Sequence, residues 1–364
     1  MSEELVQKAK TFGATCAEST VVQNKSLTLE TKNTKLEKVE TAESLELGLR
    51  VFINSQSASV SISNFNSDAI DEMILRAIAM AKEAIPDELS GPADINQILG
   101  SWNMKSFELF DITYDDQNFE KCKNLALEVE SAALEVTDIS QCESAGFSSN
   151  YSNFHFTTSN GFSSGYQRTA FGLYCSAIAG TGSSMERDFA SEGRTFFNDL
   201  PSASSIGLLA ANRATARLKP KRPPTGLYPV LFDQRISSSL IGHLTAAING
   251  MAICRGSSWL LGSLNKKILP ENLSLCEDPS RPRIAGSRPF DAEGLPTTQK
   301  NFVENGVLKN YILDLRSARK LNLEPLGNAY RSLASAPQPG VGNLELSPGD
   351  STCEQLLGTI KNGL

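Results

Sequence analysis

Between Glu18 and Ile62 polar and apolar residues alternate with a period of two. The runs "ESTVVQ", "SLTLET", "KLEKVE", "LELGLRVFI" and "SASVSI" carry this pattern. Successive side chains on a strand point to opposite faces, so the pattern predicts short strands with one buried and one solvated face. A helix is expected before them, over residues 1–15. A second follows in "NFNSDAIDEMILRAIAMAKEA", capped by Ser67 or Asp68, with an apolar stripe of Ile70, Ile74, Leu75, Ala77, Ile78 and Ala81. Residues 1–89 therefore read as a small sheet with helices laid on it.

The stretch from Ser90 to Phe110 has no period and reads as a linker. A middle unit, residues 110–218, opens with the helix "DDQNFEKCKNLALEVESAALEV" and closes with "SASSIGLLAANRATARL". Between them lie alternating runs around Asn160-Gly161, a strong hairpin signal. The segment "KPKRPPTGLYP", with four prolines from Pro220 to Pro229, is a stiff spacer. Residues 228–364 form the third unit, expected to be β-rich and to open with a helix. The fold class is α+β, and 364 residues suffice for two or three domains with a sizeable core.

Charge and cysteine content narrow the function. The net charge is −7, which argues against nucleic acid or an anionic membrane as the main partner. No apolar run reaches the roughly 18 residues of a membrane span. The N-terminus "MSEELVQKAK" lacks the apolar core of a signal peptide. Seven scattered cysteines, an odd number with no CxxC pair, fit reduced thiols and a cytoplasmic location.

Candidate chemistry is sparse. "GFSSG", Gly161 to Gly165, matches the G-x-S-x-G nucleophile elbow, but an elbow needs a strand before it and a helix directly after. Here a hairpin turn precedes Ser163 and an alternating run follows. His155, between Phe154 and Phe156, reads as a strand-face histidine. Asp314 and Arg316 in "YILDLRSARK" read as a local ion pair or a strand-to-helix turn. No P-loop, dinucleotide fingerprint or H-E-x-x-H is present.

"SSSLIGHLTAAINGMAICRG", Ser237 to Gly256, has helical spacing. Ile236, Leu240, Leu244, Ala247, Ile248 and Met251 fall on one face and the chain's second histidine, His243, on its flank. Zinc needs about three or four protein ligands, and no cysteine, second histidine or acid lies within a turn or two of His243 on this helix. His243 is therefore expected to be satisfied by a backbone carbonyl and not by a metal.

The segment from Phe290 to Arg331, "FDAEGLPTTQKNFVENGVLKNYILDLRSARKLNLEPLGNAYR", resembles the TldD/PmbA family. It follows D-x-E-G-x-P-T (Asp291, Glu293, Gly294, Pro296, Thr297), E-N-G-x-L (Glu304, Asn305, Gly306) and S-A-R-K-L-G-x-x-x-x-G-N-A (Ser317, Ala318, Arg319, Gly327, Asn328). "LELGLRVFINSQSASVSISNFNSDAIDEMILRAIAMAK" and "PGDSTCEQLLGTIKNGL" look like further family segments. TldD-like members are metallopeptidases with His-Glu-x-x-x-His on the helix that opens the last domain; PmbA-like members, also called TldE, lack the motif and pair with TldD. Alignment puts Gly242 and Ala247 at the two metal histidines and His243 at the glutamate. "RGSSWLLGSL" is similar to the PmbA branch. The resemblance implies a non-catalytic subunit with no zinc of its own. Zinc is then expected in a TldD-like partner, and extended peptides as substrates, as in microcin-type leader removal. An independent peptide-binding homodimer, or a hydrolase using Ser163 or Cys254, are the alternatives. Family members continue beyond the position of Leu364. Unpaired edges are accordingly expected among the third-unit strands "VLFD", "NFVEN" and "VLKNYILDL", with lost cover over Val307, Leu308, Ile312 and Leu313 and a tendency to aggregate.

Overall fold

The computed structural model describes residues 2–98, 104–116 and 118–364. Its framework is a six-stranded antiparallel sheet. The strands are β1 (Cys16–Lys32), β2 (Lys35–Ile53), β3 (Gln56–Ile62), β4 (Ile139–Thr158), β5 (Ser163–Ala179) and β6 (Glu186–Arg194), in the order β3-β2-β1-β4-β5-β6. The five short runs of the N-terminal region are thus three strands. "ESTVVQ" and "SLTLET" fuse into β1, and "KLEKVE" and "LELGLRVFI" into β2. The polar stretch around Asn24 and Lys25 does not break β1, because β2 and β4 pair with it on both sides (Asn24↔Ser44 and Asn24↔Ser152). The pairing of β1 with β4 also joins the first and middle units into one sheet.

Parity along the strands divides the two faces. On β1 and β4 the odd-numbered Ala17, Leu29, Ala145 and Phe147 pack under helices. The even-numbered Glu18, Thr20, Phe154 and Phe156 meet the third unit. The helices are α1 (Ser2–Thr11) and α2 (Ser67–Glu83) at one end and α4 (Phe119–Leu134) and α5 (Ala203–Ala216) at the other. They enclose two separate cores. Asn66, not Ser67 or Asp68, caps α2, accepting from the Ala69 N–H at 2.7 Å. In the Ser90–Phe110 segment, residues 99–103 lie outside the described residues. The remainder is more than a linker. The short helix α3 (Ile95–Ile98) sits in it, and Ala93 and Ile98 are buried between the sheet and the third unit.

The third unit holds α6 (Gln234–Ala247), α7 (Gly250–Cys254), α8 (Leu315–Leu321) and α9 (Cys353–Thr359). Its strands are short: β7 (Leu275–Glu277), β8 (Lys300–Glu304), β9 (Val307–Leu308), β10 (Ala329–Tyr330), β11 (Gln338–Pro339) and β12 (Leu344–Leu346). They form a four-stranded sheet, β12-β7-β8-β9, and a two-stranded ribbon of β10 and β11. "VLFD" is not a strand: residues 230–232 pair with no strand, and Asp233 caps α6 through the Arg235 N–H at 2.9 Å. Leu308, Ile312 and Leu313 do not lose cover. They are buried in a core with Leu244, Ile248, Phe302 and Tyr311.

Arginines fasten this unit to the rest. Arg331 reaches Glu18 and Thr20 on β1, both at 2.6 Å. Arg319 donates to the carbonyls of Leu89, Gly91 and Pro92 at 2.7–3.0 Å. Arg283 pairs with Glu108 and Asp199.

Candidate functional site

The expected long helix from Ser237 to Gly256 is two helices. α6 ends at Ala247, and the Asn249 side chain starts α7 by accepting the Met251 N–H at 3.0 Å. Only Leu244, Ala247 and Ile248 of the expected stripe are buried; Ile236 and Leu240 are about half exposed, at 56% and 48%. Gly242 and His243 are on the solvent side. His243 is accordingly open to water and does not need the backbone carbonyl expected for it. A zinc ion does not fit here. Gly242 and Ala247 carry no donor atom, and among the described residues no group of three or more His, Cys, Asp or Glu is placed to hold a metal.

The family-motif residues converge into a buried scaffold. The Asp291 carboxylate accepts three backbone N–H groups, from Glu293 (2.9 Å), Leu295 (3.0 Å) and Ala329 (2.9 Å). It thereby closes its own turn and ties it to β10. Gly294 takes φ +83°, a conformation that favours glycine, and a Cβ there would press on the Phe162 ring at 3.3 Å. Pro296 bridges back to Phe290, and the Thr297 hydroxyl donates to the Arg288 carbonyl. Glu293 accepts the Leu315 N–H at 2.8 Å, at the start of α8. Burial, and then the nearby Asp291, push the Glu293 carboxyl well above its ordinary range; burial also raises Asp291.

Asp314 caps α8 reciprocally with Ser317, so it is a turn residue, as one of its two readings held. Arg316 does not pair with it and reaches Asp87 instead. Ala318 is buried behind the cap. Where the family pattern has glycine after S-A-R-K-L, Asn322 closes α8 in the left-handed region at φ +53°. Glu304, Asn305 and Gly306 form the β8–β9 turn, with φ +47° and +79° at Asn305 and Gly306. Gly327 passes so close to Pro296 that a Cβ would sit 2.5 Å from its carbonyl oxygen.

Asn328, fully buried, donates to Glu277 (2.7 Å) and to the Gly340 carbonyl (3.0 Å), and accepts from Lys300 (3.2 Å). Lys300 also bonds Glu277 at 3.1 Å, and burial lowers its pKa. Sequence reasoning missed Glu277 and Lys300. The signal was a lysine two residues before Phe302, in phase with it and directly ahead of the predicted strand "NFVEN".

Ser163 and His155 prove to be neighbours. The hairpin around Asn160-Gly161 pairs Thr157 with Ser163 and His155 with Gly165, which brings His155 Nε2 to 3.2 Å from Ser163 Oγ. Counting back from the predicted turn would have found this contact. It is not a catalytic triad. Among the described residues no carboxylate bonds the imidazole, and β5 runs on as strand where an elbow requires a helix. Cys254, whose pKa burial raises, contacts the Ser317 carbonyl at 3.9 Å. Such a thiol is a packing group and a poor nucleophile.

The concave surface lies elsewhere, on the even-numbered face of the sheet where the third unit docks. A cavity of about 190 Å³ is walled by Phe154, Tyr166, Phe290 and Tyr330 together with Arg168, Arg288 and Arg331. Through Phe154 and Arg331 it continues into a groove of about 500 Å³ beside Thr20, Val22 and Leu333. Through Tyr166 it meets a second groove of about 500 Å³, which runs past Phe110 and Phe196 along Gly165 and Gln167 of β5. β6 pairs with β5 only from Phe171, opposite Arg194, to Ala179, opposite Glu186. At the other end of β5 the Thr169 N–H bonds the Leu109 carbonyl at 3.0 Å, and the period of two turns Gly165 and Gln167 toward the same edge.

Three family models match the chain: PmbA/TldA metallopeptidase domain 1 over residues 17–81, its central domain over 112–218 and its C-terminal domain over 225–364. The chain is 32% identical to a metalloprotease PmbA homolog of Haemophilus influenzae, over 89% of this chain and 71% of that protein. It is 30% identical to metalloprotease PmbA of Escherichia coli O157:H7, over 96% and 75%. Its fold matches a solved Bacteroides thetaiotaomicron protein described as a modulator of DNA gyrase, with a TM-score of 0.89, 23% identity, and 100% and 80% of the two chains covered. TldE from Thermococcus kodakarensis superposes with a TM-score of 0.79 at 18% identity, over 99% and 80%. The chain belongs to the PmbA/TldD metallopeptidase family, among its PmbA/TldE-type members.

Proposed function

We propose that this chain is the non-catalytic subunit of a TldD–TldE type metallopeptidase that acts on peptides and unfolded segments in the cytoplasm, leader-peptide removal in microcin-type maturation among them. One observation carries the reading. The helix aligned with the family's metal helix has Gly242 and Ala247 at the ligand positions, while the scaffold around Asp291 and Asn328 is fully built. Zinc hydrolysis needs ligands that fix the ion and a base for its bound water, so the zinc belongs to a TldD-like partner with an intact His-Glu-x-x-x-His. Ile236, Leu240, Trp259 and Leu261, all exposed along α6 and just after α7, make an apolar surface of the kind a partner subunit covers. The β5 edge at Gly165 and Gln167, with its grooves, would hold extended peptide by strand addition, with little sequence preference.

The test is co-expression with a TldD-type chain and purification of the complex. Zinc is expected in that chain alone, with chelator-sensitive cleavage of an unfolded peptide that requires both subunits. Cleavage by this chain alone, insensitive to chelator, would overturn the reading.

A further inference from the structure

Among the described residues, two of the three arginines in the central cavity make no direct ion pair. Arg331 has Glu18 at 2.6 Å. Arg288 is buried and donates only to the carbonyls of Ala329 (3.1 Å) and Gly327 (3.3 Å), and its guanidinium stacks 3.6 Å from the Tyr330 ring centroid. Arg168 donates to the carbonyls of Ala285 and Ser287, while its Nε is buried without a partner. Among the described residues neither Arg168 nor Arg288 makes an ion pair within 4.0 Å. The one carboxylate on the wall, Asp291, bonds three backbone N–H groups and feels the Arg288 charge at longer range, which leaves the wall's three arginines in excess over it and Glu18.

A charge removed from water is stable only when paired, so positive charge gathered in an aromatic-walled cavity favours an incoming anion. Guanidinium forks match a carboxylate in shape, and the aromatic walls suit its short hydrocarbon stem. The cavity holds about 190 Å³, room for one side-chain head group and little more, and it shares lining residues with two grooves of about 500 Å³ each. Glu46 stands on the wall of one of those grooves and disfavours a second acid there.

We propose that this cavity seats the carboxylate of a Glu or Asp side chain in an extended peptide whose neighbouring residues lie in the two grooves. This rests on the peptide-holding reading above and sharpens it: the chain selects for an acidic residue. The full chain would be titrated into labelled extended peptides that share apolar flanks and carry Glu, Gln or Lys at the centre, followed by fluorescence anisotropy. The Glu peptide is expected to bind about tenfold or more tighter than the Gln peptide, the worth of one charge-assisted hydrogen-bond pair, and the Lys peptide weakest. Added salt should narrow the gap. R168Q, checked for folding by thermal unfolding, should erase the difference between Glu and Gln. The peptide comparison on the unaltered chain decides the matter even where the variant folds poorly. Equal binding of the Glu and Gln peptides would overturn the acidic seat and leave peptide holding in place. Binding of inorganic phosphate with no preference among peptides would mark a free-anion site and overturn it as well. Binding of none of the peptides would sink both readings.

Discussion

Asp291 separates a scaffold role from a chemical one. Its carboxylate is the acceptor for three buried backbone donors, those of Glu293 and Leu295 on Oδ1 and that of Ala329 on Oδ2. Asp291→Ala leaves all three unsatisfied. At about 1–3 kcal/mol each, the loss is roughly 3–9 kcal/mol. Whole-domain stability is about 5–15 kcal/mol, so the third unit of the alanine variant should be largely unfolded or close to it. Asp291→Asn is the sharper comparison. Its oxygen can still serve Glu293 and Leu295, while its amide nitrogen faces the Ala329 N–H. Only one donor is lost, at about 1–3 kcal/mol. Urea unfolding followed by intrinsic fluorescence would rank the three chains. Native should exceed Asn, and Asn should exceed Ala by roughly the worth of two donors. An alanine variant as stable as the native chain would refute the scaffold reasoning and leave Asp291 free for a chemical role.

Four further outcomes are expected. Elemental analysis of the purified chain should find no stoichiometric zinc; about one tightly held zinc per chain would contradict the assignment of Gly242 and Ala247. His243→Ala should leave the activity of an assembled complex with a TldD-like partner largely intact, whereas the loss of a true general base costs roughly 10²–10⁴-fold. Ser163→Ala should be silent for peptidase activity, and a fluorophosphonate probe should leave Ser163 unlabelled. The Glu293 carboxyl is raised on folding, so the stability it adds is complete below its unfolded pKa and is lost as pH rises through the folded one. Glu293→Gln, neutral throughout, should therefore flatten the decline of stability with rising pH, and parallel unfolding curves for the two chains would rule this out.

What could be read from the chain was local. The period of two on β1 and β4, the Asn160-Gly161 turn and the α2 and α5 helices all follow from neighbouring residues. The pairing of β1 with β4 does not. It joins residues more than a hundred positions apart, such as Val21 and His155, and no local signal specifies which partner an alternating strand takes. The polar middle of β1 looked like a break for the same reason: it lies between two helix-covered ends of one sheet. The break between α6 and α7 was legible in principle, since Asn249-Gly250 is a capping and breaking pair, but the apolar period runs straight through it. The motif residues stand out in the sequence as a group, yet their burial is not visible there. Nor was the role of the arginines, whose partners sit on other units.

Gly242 and Ala247, the two α6 positions that the proposed reading aligns with metal ligands, also differ physically. A Cβ built on Gly242 meets nothing within 4 Å, so any side chain would fit there, a histidine included. Ala247 is 4% exposed and packs into the core beside Leu244 and Ile248. Forcing a ring into such a site costs typically about 1–3 kcal/mol. The helix is held by those three inward residues and by its Asp233 cap, none of which a metal supplies. In structural zinc sites the ion itself provides folding energy, so loss of its ligands unfolds the domain. Here the core beneath α6 is complete without donors. That independence is what the proposed reading requires of a peptidase fold with Gly242 and Ala247 at the aligned metal positions: the scaffold and its groove stand without the ion.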